Sequence, residues 1–368
     1  MSLPLSQRLN LTVPLIQAPM AGGATSPALV AAVSEAGALG SFGSGYLQAE
    51  AILAQVREVR ELTHRPFSIN LFLPNELPVS PEALQAAQRA LRPWRERLGI
   101  TEPLLPTRLA PDFAEQFEAV LQARPALFSW TFGRLDSPRL EALKARGILT
   151  AGTATTVQEA MLLERDGVDA IVVQGLEAGG HRGSFEPDEP DQRGLLALLG
   201  NIREAVRTPL IASGGLMHGR ELAVVQTLGA ELAQLGTAFL TCPESGIHAT
   251  YRRALEERRQ QRTALTRAFS GRPARGLVNA FMEEMRDTLQ LPYPALNALT
   301  GDIRRAGAEA GDAECLSLWA GEGLPRLRVM PAGELVATLA REWHHARQLP
   351  GEAPTHLAKV GNPSPPER

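Results

Sequence analysis

His181 follows two adjacent glycines in the stretch 166–185, DGVDAIVVQGLEAGGHRGSF. An imidazole of ordinary pKa exchanges its proton near neutral pH, so a histidine delivered by a glycine-rich loop is a candidate general base. A second chemistry is suggested by Ser213-Gly214-Gly215 and Gln234-Leu235-Gly236-Thr237. Glycines let backbone N–H groups approach a ligand with no Cβ in the way, Thr237 adds a hydroxyl, and the pair of turns suits a phosphate. Asn70 and Gln174 carry carboxamides, which donate and accept at once and match the edge of a heteroaromatic ring. Ala18-Pro19-Met20 leads into Ala21-Gly22-Gly23, a proline-stiffened backbone able to lie against a flat ring. A flat, phosphorylated cofactor accounts for all of these, and flavin mononucleotide (FMN) fits best. No Walker A pattern occurs and no GxGxxG follows the first apolar run, so neither a P-loop nor a dinucleotide-binding fold is indicated.

These residues need elements to hold them. Eight short apolar or β-rich runs are read as strands: 15–18, 39–42, 67–71, 127–131, 149–152, 170–174, 210–213 and 232–235. Amphipathic stretches lie between them, at 27–36, 50–62, 113–123, 138–146, 156–165 and 219–228. Several begin with a capping signal (Ser26-Pro27, Ser137-Pro138, Thr155/Thr156 with Glu159), and others end at glycine, as at Gly37, Gly147 and Gly167. Alternation of this kind implies parallel strands with right-handed crossovers. Eight units favour an α/β fold of the (β/α)8 TIM-barrel type. Each candidate site residue then falls at a strand's C-terminal end, where barrels carry their chemistry, and the loops after the seventh and eighth strands are the usual phosphate site.

Two stretches interrupt the repeat. Residues 74–111 are proline-rich at both ends with a helix inside, a loop insertion after the third strand. Residues 242–325 separate the eighth strand from its helix at 332–347, and the segments TYRRALEERRQQ, ALTRAF and GLVNAFMEEMRDTL read as helices. The expected organisation is a cofactor-binding barrel, 1–241 plus 326–350, and a helical substrate or lid domain, 242–325. The polar, proline-rich tail 351–368 is expected to be disordered.

Bulk properties narrow the class. The 368 residues are 44% hydrophobic and 21% charged, with a formal net charge of −3, so no basic field points to nucleic acid or an anionic membrane. Cys242 and Cys315 are isolated, which argues against a disulfide framework or a zinc site. There is no charged n-region followed by an apolar h-region and no run long enough to span a membrane, so a cytoplasmic location is expected.

The residues Ala18-Pro19-Met20, Asn70, Gln174…Ala178-Gly179-Gly180-His181, Ser213-Gly214-Gly215 and Gln234-Leu235-Gly236-Thr237 together resemble the nitronate monooxygenase family, formerly 2-nitropropane dioxygenases. AGGHRG after a buried strand is the most specific piece, and Tyr293-Pro294…Asn297-Ala298-Leu299-Thr300 resembles a further family segment. The resemblance implies an FMN-dependent barrel that oxidises alkyl nitronates with O2 to a carbonyl compound and nitrite, through a flavin semiquinone and without NAD(P)H. It implies His181 as the base and FMN contacts at Asn70, Gln174, Gly179, Gly215, Gln234, Gly236 and Thr237. Pro19, Met20, Gly180, Ser213 and Gly214 complete the expected cofactor site, and Tyr293 and Asn297 are expected to face the substrate. A small nitro or nitronate compound and O2 are the expected partners, with monomer and homodimer both open.

A nitroalkane α-proton is acidic enough for an imidazole of near-neutral pKa to remove. For a substrate already present as the nitronate, His181 as imidazolium, or Arg182, would pair with the anion. Some family members place a second tyrosine one helical turn after the first and a lysine one turn further. Here those positions, counted from Tyr293, are Asn297 and Gly301, so a differently lined pocket is expected. The alternative is an NAD(P)H-dependent FMN reductase of the same barrel type, acting on enoyl-ACP or quinones. A phosphate-binding barrel without flavin fits less well, because neither cysteine follows a mid-barrel strand and Lys144 falls on a helix.

Overall fold

Ala170-Ile171-Val172-Val173 is the kind of short apolar run that survives only with both faces covered, and here it lies in the middle of a parallel sheet. The computed structural model describes residues 3–74, 78–103, 108–187, 192–288 and 291–348. Eight strands form the sheet: β1 (Leu15–Gln17), β2 (Gly40–Gly43), β3 (Phe67–Phe72), β4 (Leu127–Thr131), β5 (Leu149–Ala154), β6 (Ala170–Gln174), β8 (Leu210–Ser213) and β9 (Leu232–Leu235), with the short β7 (Gly180–His181) lying outside it. Their order, β1-β9-β8-β6-β5-β4-β3-β2, is parallel throughout, and a bridge between Ile16 and Leu39 joins the two ends. The Leu39 N–H donates to the Leu15 carbonyl and the Gln17 N–H to that of Leu39, each at 2.9 Å. The fold is a (β/α)8 barrel.

Helix Leu5–Arg8 plugs the end where the strands begin: Leu5 and Leu9 pack against Ile16, Leu39, Leu127, Val172, Ile211 and Leu232. The opposite end is left for chemistry. Several crossover helices start where a local side chain satisfies their first N–H groups. Thr156 and Glu159 make the expected capping box on helix Val157–Asp166. Helix Ser137–Ala145, by contrast, is capped by Asp136, whose carboxylate accepts from the Arg139 N–H at 3.0 Å, so the cap lies one residue before Ser137. The last helix, Ala332–Gln348, returns to the barrel wall through Leu335, Val336 and Leu339.

The region 242–325 is not all helical. β10 (Thr263–Thr266) and β11 (Ala274–Leu277) form an antiparallel pair, and β11 also pairs with β7, giving a three-stranded sheet β10-β11-β7. The first halves of the stretches ALTRAF and GLVN, 264–266 and 276–277, are therefore strand. A short apolar run does not by itself separate helix from strand, and the strand partner here comes from a segment some ninety residues upstream. Helices Ala249–Glu257, Ala280–Glu284, Ala295–Leu299 and Gly301–Glu309 account for the rest of its α structure among the described residues.

The two interruptions of the repeat share one core. Leu91 and Trp94 of helix Pro81–Arg97 pack with Phe269, Phe281, Leu296 and Ile303, and the buried Arg95 guanidinium donates to Asp302 at 2.9 Å. Helix Pro81–Arg97 of the first interruption thus packs on the 242–325 region. The tail 351–368 lies outside the described residues.

Candidate active site

A cavity of about 760 Å³ opens at the C-terminal ends of the barrel strands, within the size range of a cofactor site. Pro19, Met20, Asn70, Gln174, Gly179, Gly180, His181, Ser213, Gly214, Gly215, Gln234, Gly236, Thr237 and Asn297 all line it. Tyr293 does not form its wall. It stands behind His181 with ring centroids 5.9 Å apart, and burial pushes its phenol pKa up.

His181 sits on a strand, not on a free loop. It pairs with Ala274 of β11, and its carbonyl accepts from the Gln174 carboxamide at 3.1 Å. The segment around it is tied down by further bonds: Gly183 N–H to Gln174 Oε1 at 2.8 Å and Phe185 N–H to the buried Glu159 at 2.6 Å. Gly179 is required because a Cβ there would lie 2.5 Å from the Gly321 nitrogen, and Gly180 adopts φ +75°, a left-handed conformation that L side chains resist. The imidazole is boxed by Phe72, Phe132, Tyr293 and Trp319 at 6.1, 5.9, 5.9 and 5.6 Å between centroids, and its Nε2 lies 2.8 Å from Ser270 Oγ.

That box changes the acid–base chemistry expected from sequence. Burial first, then the positive charges of Arg272 and Arg304, push the His181 pKa down from 6.5 to about 3. The ring is therefore neutral across the physiological range, and an imidazolium pairing with an anion is disfavoured. Arg182 does not take that role either. It is fully buried, absent from the cavity wall, and donates to the Gln174 and Gly175 carbonyls at 3.1 and 2.6 Å.

Two other arginines supply the positive field. Arg272 is buried with its guanidinium 3.9 Å over the Phe132 ring, and burial lowers its pKa to about 10. Phe132 holds φ +79°, rare for a bulky residue, and its ring contacts both His181 and Arg272. Arg304 lines the cavity from helix Gly301–Glu309, and its hydrogen bonds go to neutral oxygens: Asn297 O at 2.6 Å, Asn297 Oδ1 at 3.0 Å and Thr300 O at 3.3 Å. Its charge is thus available to an anion in the cavity. The spacing of Asn297, Gly301, Arg304 and Ala308, one face of a helical run, is the sequence signal that would have found it.

Across the cavity the donor set fits a flat phosphorylated group. Gly214 and Gly215 take φ +122° and +71°, and Thr237 Oγ1 accepts from Gly321 N–H at 2.9 Å while keeping its own O–H to donate. Thr131 Oγ1 is buried on the cavity wall with no hydrogen-bond partner among the described residues, as expected of a group awaiting a ligand. Asn70 gives one N–H to Ser129 Oγ at 2.9 Å and keeps its carbonyl. Gln174 is mostly spent, its oxygen on Gly183 and Arg182, so its main work is holding the His181 segment. Trp130 does not line the cavity: it is buried in the main core against Phe128 and donates to Gly133 O at 3.1 Å. No group of three or more His, Cys, Asp or Glu side chains is placed to hold a metal among the described residues, and Cys242 and Cys315 are buried.

Residues 4–342 match the family described as Nitronate monooxygenase. A probable nitronate monooxygenase of Bacillus subtilis (strain 168) is 39% identical over 328 residues, 87% of this chain and 93% of that protein. The chain belongs to the nitronate monooxygenase family. It is therefore an enzyme of a flavin-dependent oxidoreductase family whose general reaction is nitronate oxidation. Among solved structures, the nitroalkane oxidase from Streptomyces ansochromogenes superposes with a TM-score of 0.87 at 40% identity, covering 93% of this chain and 99% of that one. FabK from Thermotoga maritima, at 24% identity and a TM-score of 0.72 over 94% of this chain and 98% of that one, shares the fold alone. No helix among the described residues is long and apolar enough to cross a membrane.

Proposed function

We propose that this nitronate monooxygenase family member binds FMN and uses O2 to oxidise alkyl nitronates to a carbonyl compound and nitrite, with the preformed nitronate anion as the preferred substrate. The observation that carries the proposal is a neutral, aromatic-boxed His181 that shares its cavity with the Arg304 guanidinium, with the buried Arg272 behind Phe132 adding to the same positive field. Positive charge that depresses an imidazole pKa stabilises an anion in the same field. Proton abstraction from a neutral nitroalkane remains open to His181, but as a weak base, because driving force falls with the pKa of the base.

Gly214, Gly215, Gly236 and Thr237 would hold the FMN phosphate, and Pro19, Met20, Asn70 and Gln234 would meet its ring system. When bound, the flavin supplies the electron-transfer chemistry with substrate and O2. The protein's own contributions are separate from that. Arg304 draws the anion in, the ring box excludes water from the reacting carbon, and His181 takes a proton only from a substrate that still carries one.

Purified protein should show a flavin spectrum that anaerobic NADH leaves unchanged and an added alkyl nitronate alters within the mixing time. Rapid bleaching by NADH would replace this reading with the NAD(P)H-dependent reductase.

A further inference from the structure

Ser270 sits in the buried turn 267–273 leading into β11, and its hydroxyl meets three groups at once. The Arg272 N–H lies at 3.3 Å, the Arg272 carbonyl at 3.1 Å and His181 Nε2 at 2.8 Å. A serine hydroxyl has one proton to give and lone pairs to accept with. The Arg272 N–H can only donate, so it takes a lone pair. The Arg272 carbonyl can only accept and has no other hydrogen bond among the described residues, so it takes the proton. Turning that proton towards His181 instead would leave a buried carbonyl unpaired. What remains for His181 is a lone pair, which requires Nε2 to carry its hydrogen.

We infer that Ser270 is a positioning residue that fixes His181 as the Nε2–H tautomer and leaves Nδ1 as the lone pair that receives a substrate proton. Nδ1 has no hydrogen-bond partner among the described residues, and the ring lines the cavity. The opposite tautomer would spend the basic lone pair on Ser270. Which ring nitrogen acts is thus decided by a residue nearly ninety positions away in the chain. The turn that holds Ser270 depends on Gly271, at φ +83°, where a Cβ would meet the Leu291 carbonyl at 2.1 Å. The catalytic part of this inference rests on the proposed nitronate and nitroalkane chemistry; the tautomer part does not.

The test has two arms. Long-range proton–nitrogen NMR of the native full-length protein, with His181 assigned through His181→Asn, should show a protonated Nε2 and an unprotonated Nδ1; a protonated Nδ1 overturns the inference. In the FMN-loaded enzyme, Ser270→Ala should lower the ratio of nitroalkane to preformed-nitronate turnover by about tenfold, the order of one hydrogen bond. Ser270→Thr, which keeps the hydroxyl, should restore the ratio. An unchanged ratio in Ser270→Ala removes the catalytic part. If the native loaded enzyme turns over neither compound, the proposed function fails, and the NMR arm still decides the tautomer.

Discussion

Acidification should spare the protonation state of His181 far below the pH at which an ordinary histidine charges. With its pKa pushed down to about 3 by burial, Arg272 and Arg304, the ring is about 99% neutral at pH 5, against about 3% for a ring titrating near 6.5. That is roughly a thirtyfold difference in the competent base. In kcat/KM for a neutral nitroalkane measured from pH 4.5 to 8, the acid limb attributable to His181 should therefore be absent. An NMR titration of the cofactor-free protein should show the ring nitrogens unmoved over the same span. Arg304→Met removes one of the two charges and should bring the limb up towards neutrality, while raising KM for the nitronate anion. The lower end of the range is set by folding: the unfolded chain binds a proton at this site below about pH 6.5 and the native one does not, so stability from this group is complete above that pH and is lost on acidification towards about pH 3. A native titration centred near 6.5 would falsify the account of the ring box and of the two guanidiniums together.

Other perturbations follow from the same geometry. His181→Asn should retain FMN and lose nitroalkane turnover by about 10²-fold or more, with nitronate turnover less affected; equal losses on both substrates would exclude the role as base. Gly179→Ala places a Cβ 2.5 Å from the Gly321 nitrogen and must displace the His181 segment by nearly an ångström, which should cost on the order of 10²-fold in kcat with the fold intact by circular dichroism. Arg95→Ala strands the buried Asp302 between the two insertions and should destabilise the protein by about 3–5 kcal/mol in urea denaturation.

Much of the barrel was legible because its signals are local. A β-branched run such as 170–173, a capping box at Thr156 and Glu159, and a glycine at the end of a helix each act within a few residues, and eight strand runs alternating with helices leave few alternatives to a closed parallel barrel. Once the strands are in place, their C-terminal ends bring Asn70, His181, Gly215 and Thr237 to one cavity without further assumption. The strands β10 and β11 were not legible, since their identity depends on β7, which supplies the third strand from a distant part of the chain.

The sequence alone was enough to bring a histidine, two glycine turns and carboxamides to one cavity, while Arg304 emerged only from the folded chain. Tertiary structure decided what those residues can do. An imidazole pKa is set by the dielectric and the charges around it, and here Phe72, Phe132, Tyr293, Trp319, Arg272 and Arg304 come from separate elements to set it. The same holds for Arg182, adjacent to the histidine in sequence yet buried on carbonyls, while Arg304, distant in sequence, lines the cavity. Adjacency along a strand sends neighbouring side chains to opposite faces, so the nearest charge in sequence is seldom the one a ligand meets.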